Sequence, residues 1–215
     1  SLLLPGVETL EKLIDRPCLG IIPYIEALKV DDEDSVTERF NLVDTKIINI
    51  GVVKLPYLSN FTDFSVFDGE NDIGLTYLHY PEQMQNMDLV IIPGSKNTLS
   101  DMKFVMDSKF SQAIYHAHRK GVTIIGICGG YQMLGHWIED QEQMESKLQK
   151  INGLGLLDVH THMTTVKTTQ QSEGCIQSDF FSASVNGERI KGYEIHMGQT
   201  ALLGDNVRPF MLTDQ

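Results

Sequence analysis

Residues 123–135 read TIIGICGGYQMLG. Thr123, Ile124 and Ile125 are β-branched and run straight into Gly126-Ile127-Cys128-Gly129-Gly130, after which a helical pattern opens over 130–137. A short apolar run of this kind, closed by glycines, predicts a strand, and the strand-to-helix order makes the turn between them the point of interest. The spacing G-x-C-x-G is the cysteine form of a nucleophile elbow. Such a turn is sharp and crowded, so only small neighbours fit beside the nucleophile. It lifts the sulfur above the sheet edge, and the N-terminus of the following helix is expected to favour the thiolate. The N–H of Gly129 would then point to where an oxyanion forms. Gln132, four residues beyond Cys128, shares its helix face. Cys18 and Cys175 lack this setting and read as ordinary small hydrophobes.

Further out, the pattern repeats. TKIINIGVVKL (45–55), IGLTYLHY (73–80), MDLVIIPG (87–94) and GVTIIGI (121–127) predict four strands, and 99–120 predicts a helical region. Apolar strands separated by helix-length segments imply an α/β fold with a mostly parallel sheet covered on both faces. After Lys150 the character changes. Residues 155–169, 173–181 and 191–200 alternate more and carry more Thr, so they read as antiparallel strands, with a turn at NGER (186–189). Toward the N-terminus, 6–15 predicts a short helix and CLGIIPY (18–24) a compact strand. DDEDSVTERF (31–40) reads as an acidic linker, which divides the chain into 1–40 and 41–215. No internal repeat is present.

Composition sets outer limits. A chain of 215 residues with 41% hydrophobic and 21% charged residues can bury a sizeable core. The formal net charge of −12, from 17 Lys+Arg against 29 Asp+Glu, repels nucleic acid and anionic membranes, so neither is an expected partner. Three scattered cysteines without a C-x-x-C pair argue against a disulfide framework and a structural zinc site, and for a reducing, cytoplasmic setting. The opening SLLLPGVETLEKL has neither the basic region nor the apolar length of a signal peptide or membrane span. The leading Ser leads us to expect a piece of a longer chain or a trimmed terminus.

Two further stretches carry chemistry. In IIPGSKNT (91–98) an apolar strand ends at Pro93-Gly94-Ser95. Ligands gather at the carboxyl ends of parallel strands, and Gly94 would let a backbone N–H approach a substrate closely as a second oxyanion donor. The run is no phosphate loop, since G-x-x-x-x-G-K-[ST] is absent from the chain. In GYEIHMG (192–198), Glu194 and His196 stand two apart on an expected strand and so share a face. A thiol nucleophile needs a base, usually histidine, although a lone histidine is more often structural. His160 and His162 also share a face, but no third ligand at clear spacing suggests a metal.

With these residues in view, C-x-G-x-Q (Cys128, Gly130, Gln132) resembles the class I glutamine amidotransferases. The strings LPYLSNFTDF (55–64), DLVIIPGSKNT (88–98), GICGGYQMLG (126–135), GLGLLDV (153–159) and GYEIHMG (192–198) look like the C-terminal glutaminase half of the cobyric acid synthase family, in order and over nearly the whole chain. The resemblance implies a flavodoxin-like domain. Residues 1–30 look like the end of the family's ATP-dependent, P-loop-type synthetase half, to which ATP and Mg would belong, leaving no cofactor in this domain. It implies glutamine as substrate, the synthetase half as partner, and a corrinoid acceptor, adenosylcobyrinic acid a,c-diamide, amidated at four carboxylates. Carried over, Cys128 is the nucleophile forming a glutamyl thioester, Gly129 and Gly94 are oxyanion donors, and Gln132 and Ser95 contact the substrate. The family's catalytic histidine falls in a later string resembling Gly-Thr-Tyr-Leu-His-Gly, which this chain lacks, so His196 and Glu194 are expected to line the pocket and the chain alone to be weakly active or inactive. Alternatives are a glutaminase for another acceptor, such as the peptidoglycan-precursor enzymes that share C-G-G-Y-Q, and a non-catalytic α/β binding module.

Overall fold

A computed structural model describes residues 3–21, 46–67, 69–178 and 184–213. The expected linker at 31–40, the end of the expected strand at 18–24 and residues 179–181 lie outside the described residues. The chain divides into two compact units, Ser1–Ser35 and Val36–Gln215.

In the first unit, helix α1 spans Leu3–Ile14. It stops where Asp15 turns to a left-handed φ of 51° ahead of Pro17, a usual way to end a helix. Residues 18–21 form no strand. Leu19 and Ile21 are exposed and pair with nothing in a ladder, so the apolar run there is not a sheet element as expected.

The second unit is built on a parallel sheet of β1 (Ile48–Val53), β2 (Ile73–Leu78), β3 (Leu89–Ile92) and β4 (Thr123–Gly126), in the order β2-β1-β3-β4. Alternation splits each central strand between two cores. Val53, Val90 and Ile92 face the cluster that includes Leu99, Met102, Phe110, Ile114 and Met133 from the helices. Val52 and Ile91 face Phe64 and Tyr77 on the other side. Burial on both faces is why these strands are apolar nearly throughout. The 3-10 helix Phe61–Phe67 supplies Phe64, whose ring meets Tyr77 edge-on.

Between β3 and β4 the helical region expected at 99–120, with breaks allowed at its start, is two helices, α2 (Thr98–Asp107) and α3 (Phe110–Arg119). They part at Lys109, which takes a left-handed φ of 67°. After β4 comes α4 (Gly129–Leu134), and it is shorter than expected: Trp137 opens a strand, β5 (Trp137–Glu139). The cause is local. Gly135 is extended, and the Met133, Leu134 and Gly135 carbonyls accept N–H groups from Leu154, Leu156, Leu157 and Gly155 in place of a further helical turn.

β5 begins a second sheet with β6 (Lys150–Asn152), β7 (Val159–Ile176), β8 (Arg189–Leu202) and β9 (Met211–Thr213). Its pairings are antiparallel except β5 with β7. The two strands expected at 155–169 and 173–181 are one long strand, β7, whose register against β8 shifts between Met163 and Thr168. Gly187, at φ 91°, makes the turn before β8. Among the described residues no helix is long and apolar enough to cross a membrane.

Candidate active site

Cys128 stands directly after β4, at the carboxyl edge of the parallel sheet, with φ 50° and ψ −110°. A non-glycine residue there is strained, a state that persists only where the surroundings impose it. Those surroundings are backbone. A Cβ on Gly126 would lie 2.6 Å from the Gly130 carbonyl oxygen, and one on Gly130 would lie 1.9 Å from the Ile92 oxygen. The two glycines around Cys128 are therefore what lets α4 fold back onto the ends of β4 and β3.

Two more loops close on the same point. A Cβ on Gly94 would sit 3.7 Å from Cβ of Cys128 and 2.7 Å from Oγ of Ser59. Ser59 N–H donates to the Gly94 carbonyl at 2.9 Å, and Lys96 N–H to the Tyr57 carbonyl at 2.8 Å. These bonds bracket the Leu58–Ser95 bridge, whose residues do not bond each other, so the Ser95 N–H turns away from the 57–59 loop. It lies by Gly129, where an added Cβ would be 3.2 Å from the Ser95 nitrogen and 3.1 Å from Oγ1 of Thr98. Gly94, Ser95 and Gly129, predicted from separate motifs, are thus brought together around Cys128. The Ser95 hydroxyl itself points elsewhere: it donates to Oδ2 of Asp101 at 2.6 Å and accepts from Asn97 N–H at 2.9 Å.

Cys128 is open to solvent, yet protein crowds the inner side of its sulfur. Burial pushes the thiol up from its ordinary pKa, the Gly129 N–H on the sulfur pulls it back, and the charges of Glu145 and Asp63 push it up again. Desolvation and the two carboxylates thus act against the thiolate that the helix N-terminus was expected to favour. Glu145 is held by design of the loop before β6. Asp140, fully buried, accepts the N–H groups of Met144, Glu145 and Ser146. Glu145 in turn accepts Thr98 N–H at 2.7 Å, and burial raises its own pKa.

Gln132 is buried on α4, and its Nε2 would lie 2.5 Å from a Cβ on Gly198 of β8. It therefore connects the Cys128 helix to the GYEIHMG strand. On that strand His196 Nδ1 faces the Gly198 carbonyl at 2.8 Å and Nε2 faces Glu194 Oε1 at 2.7 Å. Glu194 also accepts from Gln170 and Ser172, and the His196 bond holds its carboxyl below the usual range. Both ring nitrogens of His196 meet acceptors, so neither presents a free lone pair to a thiol. Among the described residues no group of three or more His, Cys, Asp or Glu could hold a metal.

Ser59, Thr98, Asp101, Asp140 and Glu145 escaped the sequence reading. Asp101 left a signal: with Thr98, Met102 and Val105 it stands on the buried face of α2, a carboxylate at an apolar position. The others carry no pattern.

Residues 49–215 match the family model described as the CobB/CobQ-like glutamine amidotransferase domain. Cobyric acid synthases of Citrobacter koseri and Listeria welshimeri are similar, the first 42% identical over 207 residues (94% of this chain, 40% of the relative) and the second 44% identical over 213 residues (98% and 40%). The chain thus spans about 40% of the length of these curated relatives. Among solved structures, PurLQS from Thermotoga maritima superposes with a TM-score of 0.58 at 18% identity, over 78% of this chain and 75% of that one. A second, a glutamine amidotransferase, gives 0.54 at 13% over 75% and 78%. These two speak for the α/β fold alone. By its sequence match over most of its length, the chain belongs to the CobB/CobQ-like glutamine amidotransferase domain family.

Proposed function

We propose that this chain is the glutaminase domain of a cobyric acid synthase, hydrolysing glutamine and delivering the ammonia to a synthetase half. One observation carries the chemistry: Cys128 stands in a strained elbow with the Gly129 N–H on its sulfur and the Gly94–Ser95 turn packed beside it. The sulfur attacks the side-chain amide carbon of glutamine, forming a C–S bond and a tetrahedral oxyanion. Gly129 N–H, with an N–H of the Gly94–Ser95 turn, stabilises that oxygen, each donor being worth about 3 kcal/mol. Collapse expels ammonia, and water then cleaves the glutamyl thioester to release glutamate and restore the thiol.

Because burial and two carboxylates disfavour the thiolate, turnover requires a base to remove the thiol proton. His196 is poorly placed for that role, with both ring nitrogens engaged, and we assign the base to a histidine of the family's later string. Gln132, Glu194 and His196 form the pocket wall beyond the nucleophile. ATP and Mg serve the synthetase half, where the released ammonia replaces phosphate on activated corrinoid carboxylates of adenosylcobyrinic acid a,c-diamide.

The test uses full-length protein with ATP, Mg and that corrinoid. Wild type should release glutamate from glutamine. Cys128→Ala should abolish this release while ammonia-dependent amidation continues. Glutaminase activity surviving in Cys128→Ala would sink the assignment, and amidation of a different acceptor only would overturn its corrinoid part.

A further inference from the structure

Asp101 does not face the pocket, yet it is bonded to both loops that do. It is fully buried at the first turn of α2. Its Oδ1 accepts Tyr57 N–H at 3.1 Å, from the loop that follows β1. Its Oδ2 accepts the Ser95 hydroxyl at 2.6 Å, from the turn that follows β3. The Ser95 oxygen then accepts Asn97 N–H, which fixes the turn where it enters α2. Burial pushes the Asp101 carboxyl up from its usual range, and its two hydrogen bonds oppose that push. A buried carboxylate is costly to desolvate, and here its two hydrogen bonds offset that cost while tying it to the two loops beside the nucleophile.

We infer that Asp101 is a positioning residue for glutamine hydrolysis, which sets the Ser95 backbone N–H against Gly129 by tying the Tyr57 and Ser95 loops to α2. This rests on the function proposed above. The carboxylate is acceptor-only, so it can take both donors at once. With Asp101→Asn, the Tyr57 bond can survive on the remaining oxygen. The amide NH2 must then face the Ser95 oxygen, whose proton loses its acceptor, and the turn rotates. The pocket keeps its volume and Gln132 its place, so substrate binding is little changed. The donor at the oxyanion shifts, and misplacement on the order of 1 Å costs about 100-fold in rate.

The test compares wild type, Asp101→Asn, Ser95→Ala and the double variant in the full-length protein. Asp101→Asn should lower glutaminase kcat by about 10- to 100-fold. The KM for glutamine should stay within about threefold, since ground-state binding is spared. Thermal stability should fall modestly, the cost of one buried hydroxyl left without its acceptor, and ammonia-dependent amidation should be unaffected. Ser95→Ala, which removes only the hydroxyl, should lower kcat in the same way, and the double variant should be no worse than Asp101→Asn alone, because the two act through one bond. Normal kcat in Asp101→Asn or in Ser95→Ala overturns the inference, as does a multiplicative loss in the double variant. If Asp101→Asn does not fold, Ser95→Ala decides alone. A wild-type protein without glutaminase activity would overturn the proposed function itself, and this inference with it.

Discussion

Cys128 combines an exposed position with a thiol whose ionisation its surroundings disfavour. Desolvation raises its pKa first, and the nearby charges of Glu145 and Asp63 add to it. The sign follows directly: a negative neighbour disfavours the thiolate, so its removal should lower the pKa. Alkylation of Cys128 by iodoacetamide should therefore reach half its maximal rate above the pH seen for a free cysteine. Glu145→Gln, which keeps an acceptor for Thr98 N–H, should shift that midpoint down and speed labelling at pH 7.5. Peptide mass spectrometry against pH reads this directly, and an unmoved midpoint would mean that Glu145 is too well screened to matter. The glycines beside the thiol make a second demand. Gly130→Ala would place a Cβ 1.9 Å from the Ile92 carbonyl oxygen, a backbone clash that no rotamer relieves. It should destabilise the protein by about 3 kcal/mol in urea titration, while Gly192→Ala, with nothing within 4 Å, should stay within about 0.5 kcal/mol. The motif G-x-C-x-G was legible because each of its residues answers one local constraint of a single turn. Asp101 and Glu145 were not, since the Tyr57 and Thr98 N–H groups they accept lie 44 and 47 residues away, and the short-range bonds of Asp140 follow no spacing that marks them.

At the level of elements, the four parallel strands could be read because each packs apolar side chains against both cores and so carries a dense apolar run. Their ends were read too long by a few residues, as at 45–55 against Ile48–Val53, where Ile47 and Leu55 continue the apolar character past the ladder. The break between α2 and α3 was missed for a different reason. It falls at Asp107-Ser108-Lys109, without the glycine or proline that usually marks one. Lys109 adopts the left-handed conformation anyway, at φ 67° and ψ 11°. An L-residue there costs about 1–2 kcal/mol, partly offset on replacement by the greater freedom of glycine in the unfolded chain. Lys109→Gly should thus raise stability by about 0.5–1 kcal/mol. A fall in the urea midpoint would show that the lysine stem contributes more by packing than its backbone costs. β7 was read as two strands because the polar run over 170–172 interrupts the alternation, while at Gly174, inside the second expected strand, an added Cβ would lie 2.5 Å from the Leu212 oxygen. That glycine marks the close approach of β9, an interaction no local pattern announces.

Across the whole molecule, charge rather than packing offers the clearest lever. The chain carries 29 acidic against 17 basic residues, a formal net charge of −12. Exposed ion pairs among the described residues include Lys103–Asp107, Lys150–Glu139, and Lys191 and Arg189 on Glu173. Each such pair is worth about 0.2–1 kcal/mol at most, and salt weakens it. The surplus of negative charge acts the other way. It repels itself over distances that low salt leaves unscreened, about 30 Å at 0.01 M, and this strains the folded state more than the expanded one. At 0.15 M the screening length falls to about 8 Å, so most of that repulsion disappears while contacts within an ion pair persist in part. The urea midpoint of this protein should therefore rise as NaCl goes from about 0.01 to 0.15 M, with the slope of the transition unchanged because the surface exposed on unfolding is the same. Were the surface pairs dominant, the midpoint would fall instead. Sodium sulfate would confound the measurement by strengthening apolar burial, so chloride is the salt to use, and equal rises in NaCl and KCl would separate screening from ion binding.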